Sequence, residues 1–272
     1  MNILYFEANH NYGDIMKNLF LYSGSTQKER FHISPPGEKS EIEHAEYVSA
    51  HLSDNMKYTD ELFMLSKNND IVIRKFAIEV QGEFTDAFLI FTDGLCDSSS
   101  VNDFILRPLM NTTQSMRGTL LDVIEKSLLP QCQLSVTDKI NDALQTVNIG
   151  NAVLFADTVP KAFVVDVKSW EHRSVANPEN EAVIQGPHEG FNEVLRCNTA
   201  LVRKTLNTPR LIMENIAVGK TSKTPGAIAY IRDVTNESLV DEVRRRISLI
   251  DAEYVLSALD VEQLKPGRWM SV

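Results

Sequence analysis

Residues 70–94 hold two runs, DIVIRKFAIEV and TDAFLIFTDG, dense in β-branched and aromatic residues and separated by the polar segment QGEF. This pattern predicts a β-hairpin. A hairpin alone is marginal in water and must bury a face against other strands or helices. The neighbouring segments supply candidates for both.

Before the hairpin, Ser40 and Glu43 have capping-box spacing, and Ile42, Ala45, Ser49, Leu52 and Met56 form a helical stripe. After it, SSVNDFILR reads as a helix stopped by Pro108, and RGTLLDVIEKSLL as one stopped by Pro130. CQLSV reads as a short strand and TDKINDALQTVN as a helix ending at Gly150. NAVLFAD and AFVVDVKSW read as strands around a Val-Pro turn. HEGFNEVLRCNTALVRKTLN reads as a long helix ending before Thr208-Pro209. RLIMENIAVG and TPGAIAYIRD are two more strands, followed by the helix ESLVDEVRRRISLI, capped by Asn236.

Strands alternating with helices over 272 residues predict an α/β chain of two α/β subdomains, each a small mixed sheet packed with helices. The expected division is a polar lead at residues 1–39 containing the breaker SPPGEKS, a first subdomain at 40–140 and a second at 141–272.

Charge is uneven. Ten basic and five acidic side chains lie between Leu195 and Arg246, so this segment is net +5 in a chain of net charge −10. Such a stretch is either a solvated face or a surface turned toward anionic lipid or an acidic subunit. An acidic chain without basic runs interleaved with aromatics argues against nucleic acid. No apolar run reaches the length of a membrane span, and MNILYFEANHNYGD lacks the positive start of a secretory signal. Cys96, Cys132 and Cys197 have no CxxC spacing, which suggests buried thiols in a reducing compartment.

Gly219-Lys220-Thr221 ends like a phosphate-binding loop. That loop needs glycine five positions earlier and a helix afterwards. The chain has Glu214 and the strand-like TPGAIAYI, so a polar hairpin turn is expected instead. The six histidines form no HxxxH or HExxH pair, and no GxSxG or GxGxxG occurs. No catalytic residue, metal ligand or cofactor is expected, and the chain does not read as an enzyme.

One segment stands apart. Gly186, Pro187, His188, Glu189, Gly190, Phe191 and Glu193 open a strongly amphipathic helix, with acids where its dipole favours them. Asn198 falls on its apolar stripe and needs a partner. The helix is either a capped core element with a satisfied asparagine or a rigid contact surface. Together with Arg203, Arg244 and Arg245 of the basic segment, these residues are the candidate interface.

The blocks GNAVLFAD, AFVVDVKSWEHR and NPENEAVIQGPHEGFNEVLRCNTALVRKTLNTPRL, with DIVIRKF and FTDGLCD upstream, resemble the A subunit of the GerA family of spore germinant receptors over roughly residues 40–260. Asp166, Trp170 and Arg173 match its motifs, as do Lys223 and Thr224 in the turn before a strand. His188 stands where the family has Arg, and Thr158 where it has Gly. The resemblance implies a hydrophilic N-terminal half of a protein whose other half spans the spore inner membrane, with this domain on the cytosolic (spore core) side. It implies germinant receptor B and C subunits as partners, self-association of A subunits, and a role in assembly and signal coupling during nutrient-triggered germination. The alternative is a nutrient-binding module with a cleft between the two lobes.

Overall fold

The structure is a computed structural model that describes residues 4–5, 45–110, 118–128, 133–168, 190–255 and 260–261. In chain order the elements begin with β1 (Leu4–Tyr5), α1 (Leu52–Phe63), β2 (Ile71–Val80) and β3 (Glu83–Thr92). Next come α2 (Ser98–Val101), a π-helical turn (Asn102–Leu106), α3 (Arg107–Met110), α4 (Leu120–Leu128), β4 (Leu134–Thr137) and α5 (Ile140–Val147). β5 (Asn151–Ala156), β6 (Ala162–Asp166), α6 (Leu195–Thr205), β7 (Leu211–Val218), β8 (Thr224–Ile231) and α7 (Glu237–Ser248) complete the series.

The chain is mixed α/β and divides into two compact units. The larger holds a five-stranded sheet of order β2-β3-β5-β6-β4 with antiparallel pairs throughout. The smaller holds a three-stranded sheet of order β1-β8-β7, in which β1 runs parallel to β8.

The hairpin forms as its residues predict. Its turn is tighter than QGEF, because Gln81 and Gly82 both take positive φ (55° and 84°) and Glu83–Phe84 join β3. Two left-handed residues make the turn that matches strand twist.

The larger sheet is buried on both faces. On one, Leu89, Leu154, Phe163 and Val165 pack with Val101, Ile105, Leu109 and Ile124 of the α2–α4 region. On the other, Phe88, Ile90, Val153 and Phe155 pack with Tyr58 and Phe63 of α1 and with Ile140, Leu144 and Val147 of α5. Phe88 and Phe155 are cross-strand partners and stack with ring centres 4.9 Å apart. Burial on both faces explains the near-continuous apolar runs of β3 and β5.

The structure departs from the sequence expectations at several points. A division at residue 140 would cut one sheet, since β3 pairs with β5. The larger unit instead comprises residues 41–191 and 199–211, and the smaller 1–40, 192–198 and 212–272. Residues 1–39 are not all unpaired lead: Leu4 and Tyr5 pair with Ile228 and Ala229.

Helix boundaries move as well. Of the expected helix from Ser40, residues 45–51 are not helical and α1 begins at Leu52, whose N–H donates to Asp157 Oδ1 at 3.0 Å. That distant carboxylate satisfies an orphan donor of the first turn. Ser40 and Glu43 lie outside the described residues. Pro108 sits within α3 rather than ending the helix. Proline lacks an N–H and crowds the carbonyl four residues back, and the widened π turn immediately before it accommodates the ring.

Candidate functional site

In the smaller unit, β7 and β8 are joined through Gly219–Lys223, and this turn grips the segment that follows α7. The backbone N–H of Lys220 donates to Ala252 O at 2.9 Å. Those of Thr221 and Ser222 donate to Glu253 O at 3.0 and 3.1 Å. Val255 N–H donates back to Ser222 Oγ at 3.2 Å, and the Thr224 hydroxyl donates to Val255 O. The Thr221 hydroxyl reaches Glu253 Oε2 at 2.6 Å, and Lys220 pairs with Asp251 at the surface. Gly219 has φ +92°, and a Cβ there would collide with Ser222 Oγ, so this position calls for glycine.

These bonds show why the Gly-Lys-Thr triplet is no phosphate cradle. A phosphate loop leaves its amides open. Here they are occupied by carbonyls of residues 252 and 253, and the lysine faces a carboxylate.

A second set of polar contacts fastens α7 to the same sheet. Glu214 of β7 accepts from Arg244 Nε and Nη2 at 2.8 and 2.6 Å, and from the Tyr230 hydroxyl of β8 at 2.5 Å. Burial and then the Glu214 contact push the Tyr230 phenol above its ordinary range. Arg244 also pairs with Asp241. Glu242 accepts from Arg245 Nε and Nη2 at 2.6 and 2.8 Å and from Arg246 Nε at 2.7 Å. The hydrogen bond from Arg245, assisted by Arg246, holds its carboxyl down at about 2. Arg244, Arg245 and Arg246 of this basic segment are thus each paired with an acid of the smaller unit.

Arg203 corrects the candidate interface outright, because it is wholly buried in the larger unit. Its Nε and Nη2 donate to the two carboxylate oxygens of Asp70 at 2.7 and 2.9 Å. Nη2 also reaches Asn68 Oδ1 and Leu211 O, at 3.1 and 3.2 Å, and Nη1 reaches Asn148 Oδ1 at 3.3 Å. Asn68 is fixed in turn by donating to Phe63 O and Leu211 O, both at 3.1 Å. The planar fork of arginine suits such a bidentate, dry pairing.

The helix at Asn198 is shorter than expected. It begins at Leu195, and Phe191 and Val194, which the longer helix would have included, are exposed at 46% and 43%. Asn198 is buried and satisfied: Asn192 N–H donates to its Oδ1 at 2.8 Å, and its Nδ2 donates to Asn192 O at 2.7 Å. The Asn192 side chain accepts from Val194 N–H, also at 2.8 Å. These bonds give the chain before α6 a closed conformation that competes with helix.

Glu193 is exposed and Gly190 half-buried. Asp166 ends β6 and pairs with Lys168 at 3.6 Å. Lys223 holds φ 43° in the turn. Gly186, Pro187, His188, Glu189, Trp170 and Arg173 lie outside the described residues. Among the described residues, no group of acidic, histidine or cysteine side chains could hold a metal ion. No described helix is long and apolar enough to cross a membrane.

Sequence reading missed Ser222, Glu253, Tyr230, Asp70 and Asn148. The polar TSKT cluster beside Gly219 was a signal, but nothing local named its partner at residues 251–255.

Comparison with known proteins identifies the fold's relatives. Residues 61–272 match the family described as Bacillus/Clostridium GerA spore germination protein. The chain is similar to Spore germination protein GerLA of Bacillus cereus, with 28% identity over 74% of this chain and 40% of that protein. It is similar to Uncharacterized membrane protein YfkQ of Bacillus subtilis (strain 168), with 31% identity over 79% of this chain and 41% of that protein. Spore germination protein KA of Bacillus subtilis (strain 168) shares 25% identity over 83% of this chain and 41% of that protein. The chain thus spans about two fifths of the length of these curated relatives. Among solved structures, it resembles the N-terminal domain of the A subunit of the Bacillus megaterium spore germinant receptor GerK3. That match has a TM-score of 0.60 and 26% identity, covering 76% of this chain and 75% of that one. The chain belongs to the GerA spore germination protein family, and the region it represents corresponds to the N-terminal domain of a germinant receptor A subunit.

Proposed function

We propose that this chain works in nutrient-triggered spore germination as an assembly and signal-coupling domain of a germinant receptor A subunit. The observation that carries this reading is the clasp between the turn Gly219–Thr224 and residues 251–255. In relatives whose aligned region is about two fifths of their length, sequence beyond that region must be tied to this domain. The clasp fixes the backbone near the end of the matched region, so a change in the β7–β8 turn is passed along the chain.

In this reading the domain lies on the cytosolic side of the spore inner membrane, with B and C subunits and further A subunits as partners. Exposed Phe191 and Glu193, half-buried Gly190, the half-exposed Arg244 and the exposed Arg245 are the remaining described contact candidates. Arg203 drops out because it reaches no solvent.

Hydrogen exchange in the full-length receptor tests the coupling. Exchange at the Lys220, Thr221 and Ser222 amides is expected to change when the stimulating nutrient is added. Identical protection with and without nutrient would remove the clasp from the signalling path.

A further inference from the structure

β2 is an edge of the five-stranded sheet: β3 lies along one side of it, and no described strand lies along the other. Such an edge offers its backbone to a further strand. The ladder shows which residues make the offer. Asp93 N–H donates to Asp70 O at 2.8 Å, and these two stand opposite each other one step before the Ile71–Thr92 pair. Bonded and non-bonded pairs alternate in an antiparallel ladder. The even-numbered residues from Val72 to Val80 therefore direct their N–H and C=O groups to β3, and Ile73, Lys75, Ala77 and Glu79 turn theirs outward.

Side chains alternate between the faces of a strand, so Lys75, Ala77 and Glu79 share one face. A strand that pairs antiparallel with a copy of itself does so about a two-fold axis. Only the register centred on Ala77 sets Lys75 opposite Glu79 of the second copy, and the axis repeats that pair on its other side. Lys75, Ala77 and Glu79 all turn their backbone groups outward, so the same register also matches donors to acceptors. On the other face it sets Phe76 opposite Ile78. Opposite charges across a pair of strands stabilise it, and like charges weaken it.

We propose that β2 is a self-recognition edge, which pairs antiparallel with β2 of a second copy of this chain about an axis at Ala77. The proposal rests on the reading that A subunits associate on one membrane, where confinement raises the effective concentration for a contact as small as one strand pair.

Sedimentation equilibrium of the 272-residue chain over a wide concentration range tests it. A reversible monomer–dimer equilibrium is expected. Lys75→Glu and Glu79→Lys, each alone, should weaken the dimer about tenfold, the scale of two cross-strand charge pairs. Their equimolar mixture should recover it, because one variant then carries acids at both positions and the other bases at both. Ala77→Pro removes an outward N–H and leaves the bonds to β3 in place, and it should weaken the dimer at least as much. A monomer at every concentration overturns the proposal. So does a dimer that none of these variants weakens, or a mixture that associates no better than its components. The equilibrium is read without nutrient or other subunits. Its failure therefore leaves the exchange test at Lys220–Ser222 standing, and unchanged exchange there leaves this dimer standing.

Discussion

Arg203 and Asp70, 133 positions apart, meet in a two-pronged ion pair with both side chains shielded from solvent. The pair ties the C-terminal part of α6 to the start of the hairpin. Asn68 and the Leu211 carbonyl also accept from Nη2, and Asn148 accepts from Nη1.

Removing one member leaves a buried charge uncompensated, which costs ~3–5 kcal/mol. Arg203→Met and Asp70→Leu are each expected to lower unfolding free energy by that order in urea titrations. The double variant should lose much less than the two together, because no lone charge remains. Single variants within about 0.5 kcal/mol of the parent, the range of ordinary surface changes, would contradict the pairing.

Glu242 makes stability depend on acid. Its folded pKa is about 2 against an ordinary 4.5, mainly through hydrogen bonds from Arg245 and Arg246. A depressed folded value means the stabilisation is complete above the unfolded pKa and is lost as pH falls from 4.5 toward about 2. The urea midpoint of the parent should drop across that window. Glu242→Gln should lie lower at neutral pH and show a flatter profile, and parallel profiles would argue against the clamp.

Asn198 holds the chain before α6 through both halves of its amide. Asn198→Ala removes a buried amide that bonds both the N–H and the carbonyl of Asn192, two hydrogen bonds worth ~1 kcal/mol each. Thermal unfolding should register that loss, and proteolysis should speed up within residues 190–195. An unchanged melting temperature would mean that water replaces the amide freely.

The parts of this fold legible in the sequence are those written in nearby residues. The hairpin of β2 and β3 announced itself by β-branched density and a turn containing Gly82. Asn236 announced α7, where its side chain accepts from Ser238 N–H at 2.9 Å. What could not be read depended on distant partners. The unit boundary follows from β3 pairing with β5, and the start of α1 from a carboxylate 105 positions away. Arg203 looked like one more surface cation because Asp70 lies far off in sequence. The GKT turn was correctly denied a phosphate from Glu214 and the strand after it, but the carbonyls that occupy its amides were not visible.

The clasp itself is tested most directly by replacing its two hydroxyls together in the full-length protein. Ser222→Ala with Thr224→Val removes the bonds to Val255 while keeping side-chain size similar. Spores carrying this variant, with the protein present at parental level, should respond to nutrient at least several-fold more slowly. Parental germination kinetics at parental protein level would contradict the proposal that this turn couples the domain to the rest of the receptor.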